Sequence, residues 1–222
     1  MMEQEQKPPI RLAVVGLGGI GCALVVRIAR MPFEQITLMD GDRVEAANLE
    51  KQELYAEVDI GRAKVDVAAA WVAIAPVKAR IVPMDAFVDP RNVDELISMH
   101  DIVADCTDDL HVRRLIDRTC RDYGVPLVSG AVHGAQGQVI TLHRPGVGED
   151  LSLGDLFIGK AGVEQDGCDM RQVPLDVLDQ VAARMAMYIR ELLNGGQPMN
   201  GRIDLYEGKA RAWSQIEPPR MA

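Results

Sequence analysis

The chain lacks an excess of positive charge, a membrane-length apolar run and closely paired cysteines, and each absence removes a class of protein. Against 24 Lys and Arg stand 33 Asp and Glu, so the 222 residues carry a formal net charge of −9. That balance argues against nucleic acid or an anionic membrane as the main partner. It leaves room for a local basic pocket, and a nucleotide site needs only a few cations. The four cysteines are Cys22, Cys106, Cys120 and Cys168, and no two form a C-x-x-C pair. No disulfide framework follows from that spacing, and a reducing, cytoplasmic setting fits it. The most apolar stretch, residues 12–26, holds four glycines and stops at Arg27. It is short for a membrane span. The first residues lack the basic flank of a signal peptide. There is no internal repeat and no low-complexity segment.

What remains is an ordinary globular composition, 48% hydrophobic and 26% charged. The length suits one large α/β domain with a sizeable core. Residues 1–9 read as a flexible arm, 10–216 as a single nucleotide-binding domain and 217–222 as a tail. Residues 11–15 read as a buried strand, and 36–39, 79–83, 102–104 and 126–129 as further strands. Helical periodicity predicts helices from residue 20, over 60–75, 93–99, 112–123 and 175–193. Strands alternating with helices imply a doubly wound, mostly parallel, Rossmann-like sheet with right-handed crossovers. Residues 138–142 suggest a strand joined by a tight loop, and so antiparallel. Residues 144–170 read as a long loop, which inside a compact domain is usually functional. After the last helix, 203–206 and 210–214 suggest a β-hairpin around Glu207 and Gly208.

Residues 16–21 fit G-x-G-x-x-G between a strand and a helix, with glycines at Gly16, Gly18, Gly19 and Gly21. Such a turn lets backbone amides approach phosphate at the positive end of a helix. Asp40 closes the second strand, 24 residues after Gly16. A carboxylate there is placed to accept hydrogen bonds from ribose hydroxyls. The loop alone does not separate ATP from NAD, and a turn used only for helix–sheet packing would look the same.

Three further segments follow in order: D-G-D-R-V-E-A-A-N-L-E-K-Q at 40–52, D-I-G-R-A-K at 59–64 and D-C-T-D-D at 105–109. Together with the glycine turn they resemble the ThiF/MoeB/HesA family, whose fold is shared with the adenylation domains of ubiquitin-activating enzymes. The family pattern runs G-x-G-G-x-G, D-x-D-x-V-x-x-x-N-L-x-R-Q, G-x-x-K, D-x-x-D-N. The resemblance covers residues 10–143 well and the final helix and hairpin more loosely. It implies an ATP-dependent adenylyltransferase that activates the C-terminal carboxylate of a small ubiquitin-like or sulfur-carrier protein ending in Gly-Gly. It also implies a homodimer. Carried over by position, Asp40 resembles the ribose carboxylate, with Asp42 beside it. Asn48 and Lys64 resemble groups around the triphosphate, and Asp108 the carboxylate that binds magnesium. Lys51 stands where the family has an arginine on the γ-phosphate, and Gln52 keeps its neighbour's place.

The chain departs from the pattern at several points. Lys51 offers a point charge where arginine offers a planar fork. Asp109 replaces the asparagine after the metal aspartate. The family's long helical N-terminal arm, with the arginine it lends to the neighbouring subunit, is missing, so Arg11 or Arg62 could substitute. Without C-x-x-C pairs no structural zinc is expected. Cys168 lies where related chains place a cysteine for sulfur transfer or covalent linkage, and reads either as that thiol or as a spare loop cysteine. Cys22 and Cys120 read as core, Cys106 as packing, and His111 and His133 as structural or solvated. Asp105 reads equally as structural or as a ligand. The competing readings are a relative that activates another carboxylate, a non-catalytic nucleotide-binding protein and an NAD-dependent oxidoreductase. No catalytic set for hydride transfer follows the glycine turn.

Overall fold

A computed structural model describes residues 9–74, 79–144, 151–156, 172–196 and 198–216. The predicted strands form at β1 (Arg11–Val15), β2 (Gln35–Met39), β3 (Arg80–Met84), β4 (Ile102–Asp105) and β5 (Leu127–His133), and all pair in parallel. Three antiparallel strands continue the same sheet: β6 (Gln136–Leu142), β7 (Ile203–Glu207) and β8 (Ala212–Ile216). The order is β3-β2-β1-β4-β5-β6-β7-β8. The chain reverses direction of growth between β1 and β4, the crevice where open α/β sheets bind ligands.

Both faces are covered. Leu12 and Val14 of β1 pack with α1 (Gly19–Ile28), α2 (Lys64–Ile74) and α6 (Leu175–Leu193), while Ala13 and Val15 pack with α3 (Val93–Ser98) and α4 (Leu110–Tyr123). Alternate residues of one strand therefore serve two cores. This is why β1 reads as an uninterrupted apolar run and not as an alternating one.

Several boundaries differ from the sequence reading: the last strand lies at Ala212–Ile216 and not over 210–214, α4 begins at Leu110 and not at 112, and others shift where a tertiary pairing intervenes. The helix expected from residue 60 begins at Lys64, because Gly61 takes φ +89° and Ala63 bridges to Arg43. Residue 75 lies outside the described residues. β5 and β6 run further than expected, since the hairpin lets pairing continue to His133 and Gln136. The loop expected over 144–170 contains the short helix α5 (Leu153–Leu156), anchored where the Leu153 amide donates to Asp117 at 3.0 Å. Among the described helices none is long and apolar enough to cross a membrane. Cys22, Cys106 and Cys120 are buried and unpaired, as the sequence suggested.

His100, which carried no sequence signal, sits buried between α3 and β2. Its Nδ1–H donates to the Leu96 carbonyl, and its Nε2 accepts from the Thr37 hydroxyl at 2.7 Å. Both bonds suit the neutral ring. Burial lowers its pKa, with Arg11 adding to the effect and the Leu96 carbonyl and Asp101 opposing it. In the unfolded chain the ring protonates near pH 6.5. Below that pH the unfolded state binds the extra proton, so stability should fall as pH drops through 6.5 toward the depressed folded value. Urea midpoints measured from pH 7.5 to 5 should show this fall, and His100→Gln should flatten it.

Candidate functional site

The turn after β1 is built by close approach. Gly16 has φ +87°, and a Cβ there would lie 2.9 Å from the Cys106 carbonyl oxygen after β4. A Cβ on Gly21 would lie 2.0 Å from the Gly16 carbonyl oxygen. These two glycines let β1, β4 and α1 converge. Gly19 faces Leu178 of α6 and the Lys51 carbonyl, so it too serves packing. Gly18 differs: a Cβ there would meet nothing within 4 Å, and it caps α1 with no side-chain hydrogen bond. The positive end of α1 is thus left open on the side where a phosphate would approach. Gly21→Ala cannot be absorbed by rotating a side chain, because the clash is with backbone. It should destabilise the protein by about 3 kcal/mol, read as a lowered urea midpoint together with lost nucleotide binding.

Asp40, 9% exposed, braces this turn. Its Oδ2 accepts the Leu17 amide at 2.6 Å and its Oδ1 accepts the Asp42 amide at 2.8 Å. The Leu17 carbonyl receives Tyr55 Oη–H at 3.2 Å and the Cys22 thiol at 3.3 Å. Burial pushes the Cys22 pKa up to about 12 and raises that of Tyr55 as well, so both stay protonated donors. Tyr55 was not singled out from the sequence, where nothing marks a tyrosine in a loop as a brace.

Lys64 is 4% exposed and opens α2. Its Nζ lies 2.9 Å from Asp42 Oδ2, and its amide donates to the Asp42 carbonyl at 3.1 Å. Folding alone gives no reason for a lysine here. It gives up hydration, and it faces the positive end of its own helix. A violated local rule at a sheet edge points to function.

Residues Ala46–Lys51 form a 3-10 helix that carries Asn48 and Lys51 past the turn. The Asn48 side chain is half-buried and has no partner among the described residues. Gln52 is buried, and its Oε1 has no hydrogen-bond partner. An unmet buried acceptor costs about 1–3 kcal/mol, so this atom is poised for a donor from outside the chain. Lys51 Nζ donates to the Val173 carbonyl just before α6.

The turn after β4 supplies three carboxylates with different fates. Asp105 is 0% exposed. Its Oδ1 accepts the Thr107 amide (3.0 Å) and hydroxyl (2.6 Å), and its Oδ2 accepts the Ser129 hydroxyl (2.7 Å). Asp109 caps α4 by accepting the amides of His111 (2.7 Å) and Val112 (3.1 Å). An asparagine would cap equally well, so the departure at this position leaves the turn intact. Asp108 is exposed and has no partner among the described residues. The ambiguity over Asp105 resolves toward structure: Arg113 Nε lies 3.4 Å from its Oδ2. Neither Arg113 nor Ser129 was singled out from sequence.

Gly16, Asp40 and Asp108 all follow the carboxyl ends of neighbouring strands, with Asp42 and Lys64 tied to them. Arg11 is not brought in. It begins β1, at the opposite end of the strand from the glycine turn, with its amide on Asp101 and its guanidinium 4.0 Å from Glu34. Arg62 is paired with Asp59 at 2.6 Å. His111 and His133 are exposed. Cys168 and the segments 1–8 and 217–222 lie outside the described residues.

The ThiF family model matches residues 3–221. The chain is 32% identical over 206 residues to the molybdopterin-synthase adenylyltransferase of Escherichia coli K12, covering 92% of this chain and 81% of that one. It is 36% identical over 132 residues to the SAMP-activating enzyme E1 of Haloferax volcanii, covering 60% and 49%. Among solved structures, E. coli MccB with ATP superposes with a TM-score of 0.80 at 16% identity, over 96% of this chain and 64% of that one. PaaA gives 0.78 at 17%, over 94% and 72%. At those identities the two structural likenesses speak to fold alone.

Proposed function

The chain belongs to the ThiF family, and on that premise we propose that it adenylates the C-terminal carboxylate of a small ubiquitin-like or sulfur-carrier protein, using ATP and releasing pyrophosphate. The observation that carries this reading is the buried Lys64, held by Asp42 beside the open glycine turn. Such a cation suits a leaving pyrophosphate, on which charge builds as the bond to the α-phosphorus breaks.

In the proposed reaction the visiting carboxylate attacks the α-phosphorus and the bond to pyrophosphate breaks. No general base is needed, since a chain-terminal carboxylate is ionised at neutral pH. Catalysis is then positioning and charge neutralisation. Asp40 would accept the ribose hydroxyls with its remaining lone pairs. Gly18 and the first amides of α1 would receive phosphate oxygens. Asn48 and Gln52 offer amide groups to the same edge, and Lys64 neutralises the departing charge. Lys51 would exchange the Val173 carbonyl for the γ-phosphate.

Among the described residues no three His, Cys, Asp or Glu side chains cluster as a metal cage. A magnesium ion that keeps waters and phosphate oxygens needs only one or two carboxylates, and the uncommitted Asp108 fits that need. When bound, the ion supplies further charge neutralisation on the phosphates. The proposed functional unit is a cytoplasmic homodimer, with Cys168 as the thiol of a step after adenylation.

The test is ATP–pyrophosphate exchange with a carrier protein ending in Gly-Gly. Exchange is expected with the free carboxylate and not with the same carrier amidated at its end. Calorimetry that finds NAD bound and ATP ignored would overturn the reading.

A further inference from the structure

We infer that Arg113 is a positioning residue for the Asp108 carboxylate, acting through the β4–α4 turn without touching substrate. The inference rests on the proposed role of Asp108 as the magnesium ligand. Asp108 is flanked by two residues that are hydrogen-bonded in place. On its C-terminal side Asp109 is spent as the cap of α4. On its N-terminal side Thr107 is held at three atoms: Asp105 takes its amide and hydroxyl, and Arg113 Nη2 takes its carbonyl.

Arg113 is 6% exposed and reaches from the first turn of α4 to three separate segments. Besides Thr107 and Asp105, its Nη1 donates to Ser129 Oγ at 2.9 Å and its Nη2 to the Gly130 carbonyl at 2.9 Å. The guanidinium thus ties the turn to β5 on one side, while Cys106 abuts Gly16 on the other. The four groups it contacts, together with its burial, turn Arg113 toward the protein interior. A buried ion pair is a poor way to gain stability when apolar side chains could fill the space. What it does supply is a planar fork that fixes several acceptors in one geometry, which lysine cannot copy. Partners behind a metal ligand commonly control metal affinity in this manner.

The experiment measures ATP binding by calorimetry to the full chain across a magnesium titration, and again in EDTA. Arg113→Lys should raise the half-saturating magnesium concentration by about 10-fold or more, leave ATP affinity in EDTA unchanged, and add nothing further in an Asp108→Asn background. Ser129→Ala, which removes one acceptor and no charge, should shift magnesium dependence in the same direction by less. A folded Arg113→Lys with wild-type magnesium dependence would overturn the inference, as would full additivity with Asp108→Asn. If Arg113→Lys does not fold, Ser129→Ala decides, and an unchanged magnesium dependence there overturns it. ATP binding by the unaltered chain that ignores magnesium would remove the role of Asp108 and this inference together.

Discussion

Replacing Lys64 by methionine is expected to lower ATP–pyrophosphate exchange by about 10²–10³-fold, the scale of losing one preorganised charge partner of a transition state. The fold should hardly notice. Methionine matches the length of the stem, and α2 loses a cation from its unfavourable end. Asp42, left behind, has 55% of its side chain exposed and can turn to water. Half-exposed pairs contribute about 1 kcal/mol or less, so the urea midpoint should move little in either direction. That separation of activity from stability is what distinguishes a phosphate cation from a structural lysine. A Lys64→Met protein that exchanges at the unaltered rate would end the proposed role. One that unfolds would show the lysine to be structural.

Asp105→Ala is expected to act in the opposite sense, on stability first. The carboxylate is wholly buried, and its loss leaves the Arg113 guanidinium without a counter-charge, and the hydroxyls of Thr107 and Ser129 without their acceptor. Breaking a buried pair from one side costs about 3–5 kcal/mol, a large part of the roughly 5–15 kcal/mol that holds a domain folded. Urea denaturation should show the loss as a lower midpoint at an unchanged slope. Asp105→Leu combined with Arg113→Met should recover part of it, since no lone charge remains. A single-variant loss below about 1 kcal/mol would mean that water reaches the pair, and the turn would not be the rigid element described above.

Other residues act on stability as well, His100 away from the site and two glycines within it. His100 confers an acid sensitivity through burial of a neutral ring. The glycines at 16 and 21 set how closely three backbones can meet.

The periodicities of the chain were enough to place the parallel strands and the long α6: β1 and β4, buried on both faces, are apolar almost throughout, and α6 repeats its apolar residues at helical spacing. The glycine turn and Asp40 were legible from their strand–turn–helix spacing, whereas Lys64 and Asp108 were singled out only through the family resemblance. Boundaries were less legible. α2 starts at Lys64 and not at residue 60 because Ala63 bridges to Arg43, a contact between residues twenty apart that no local pattern encodes. The β5–β6 hairpin outran its prediction for the same kind of reason.

From its own order of residues the chain determines a mostly parallel α/β sheet with a glycine turn between β1 and α1, since both follow from local spacing and hydrophobic period. That Asp105 is the structural carboxylate of this turn was decided only by tertiary structure. Its role depends on where β5 brings Ser129 and how far Arg113 reaches. Hydrogen bonds between distant segments leave no trace in sequence until the chain has closed around them.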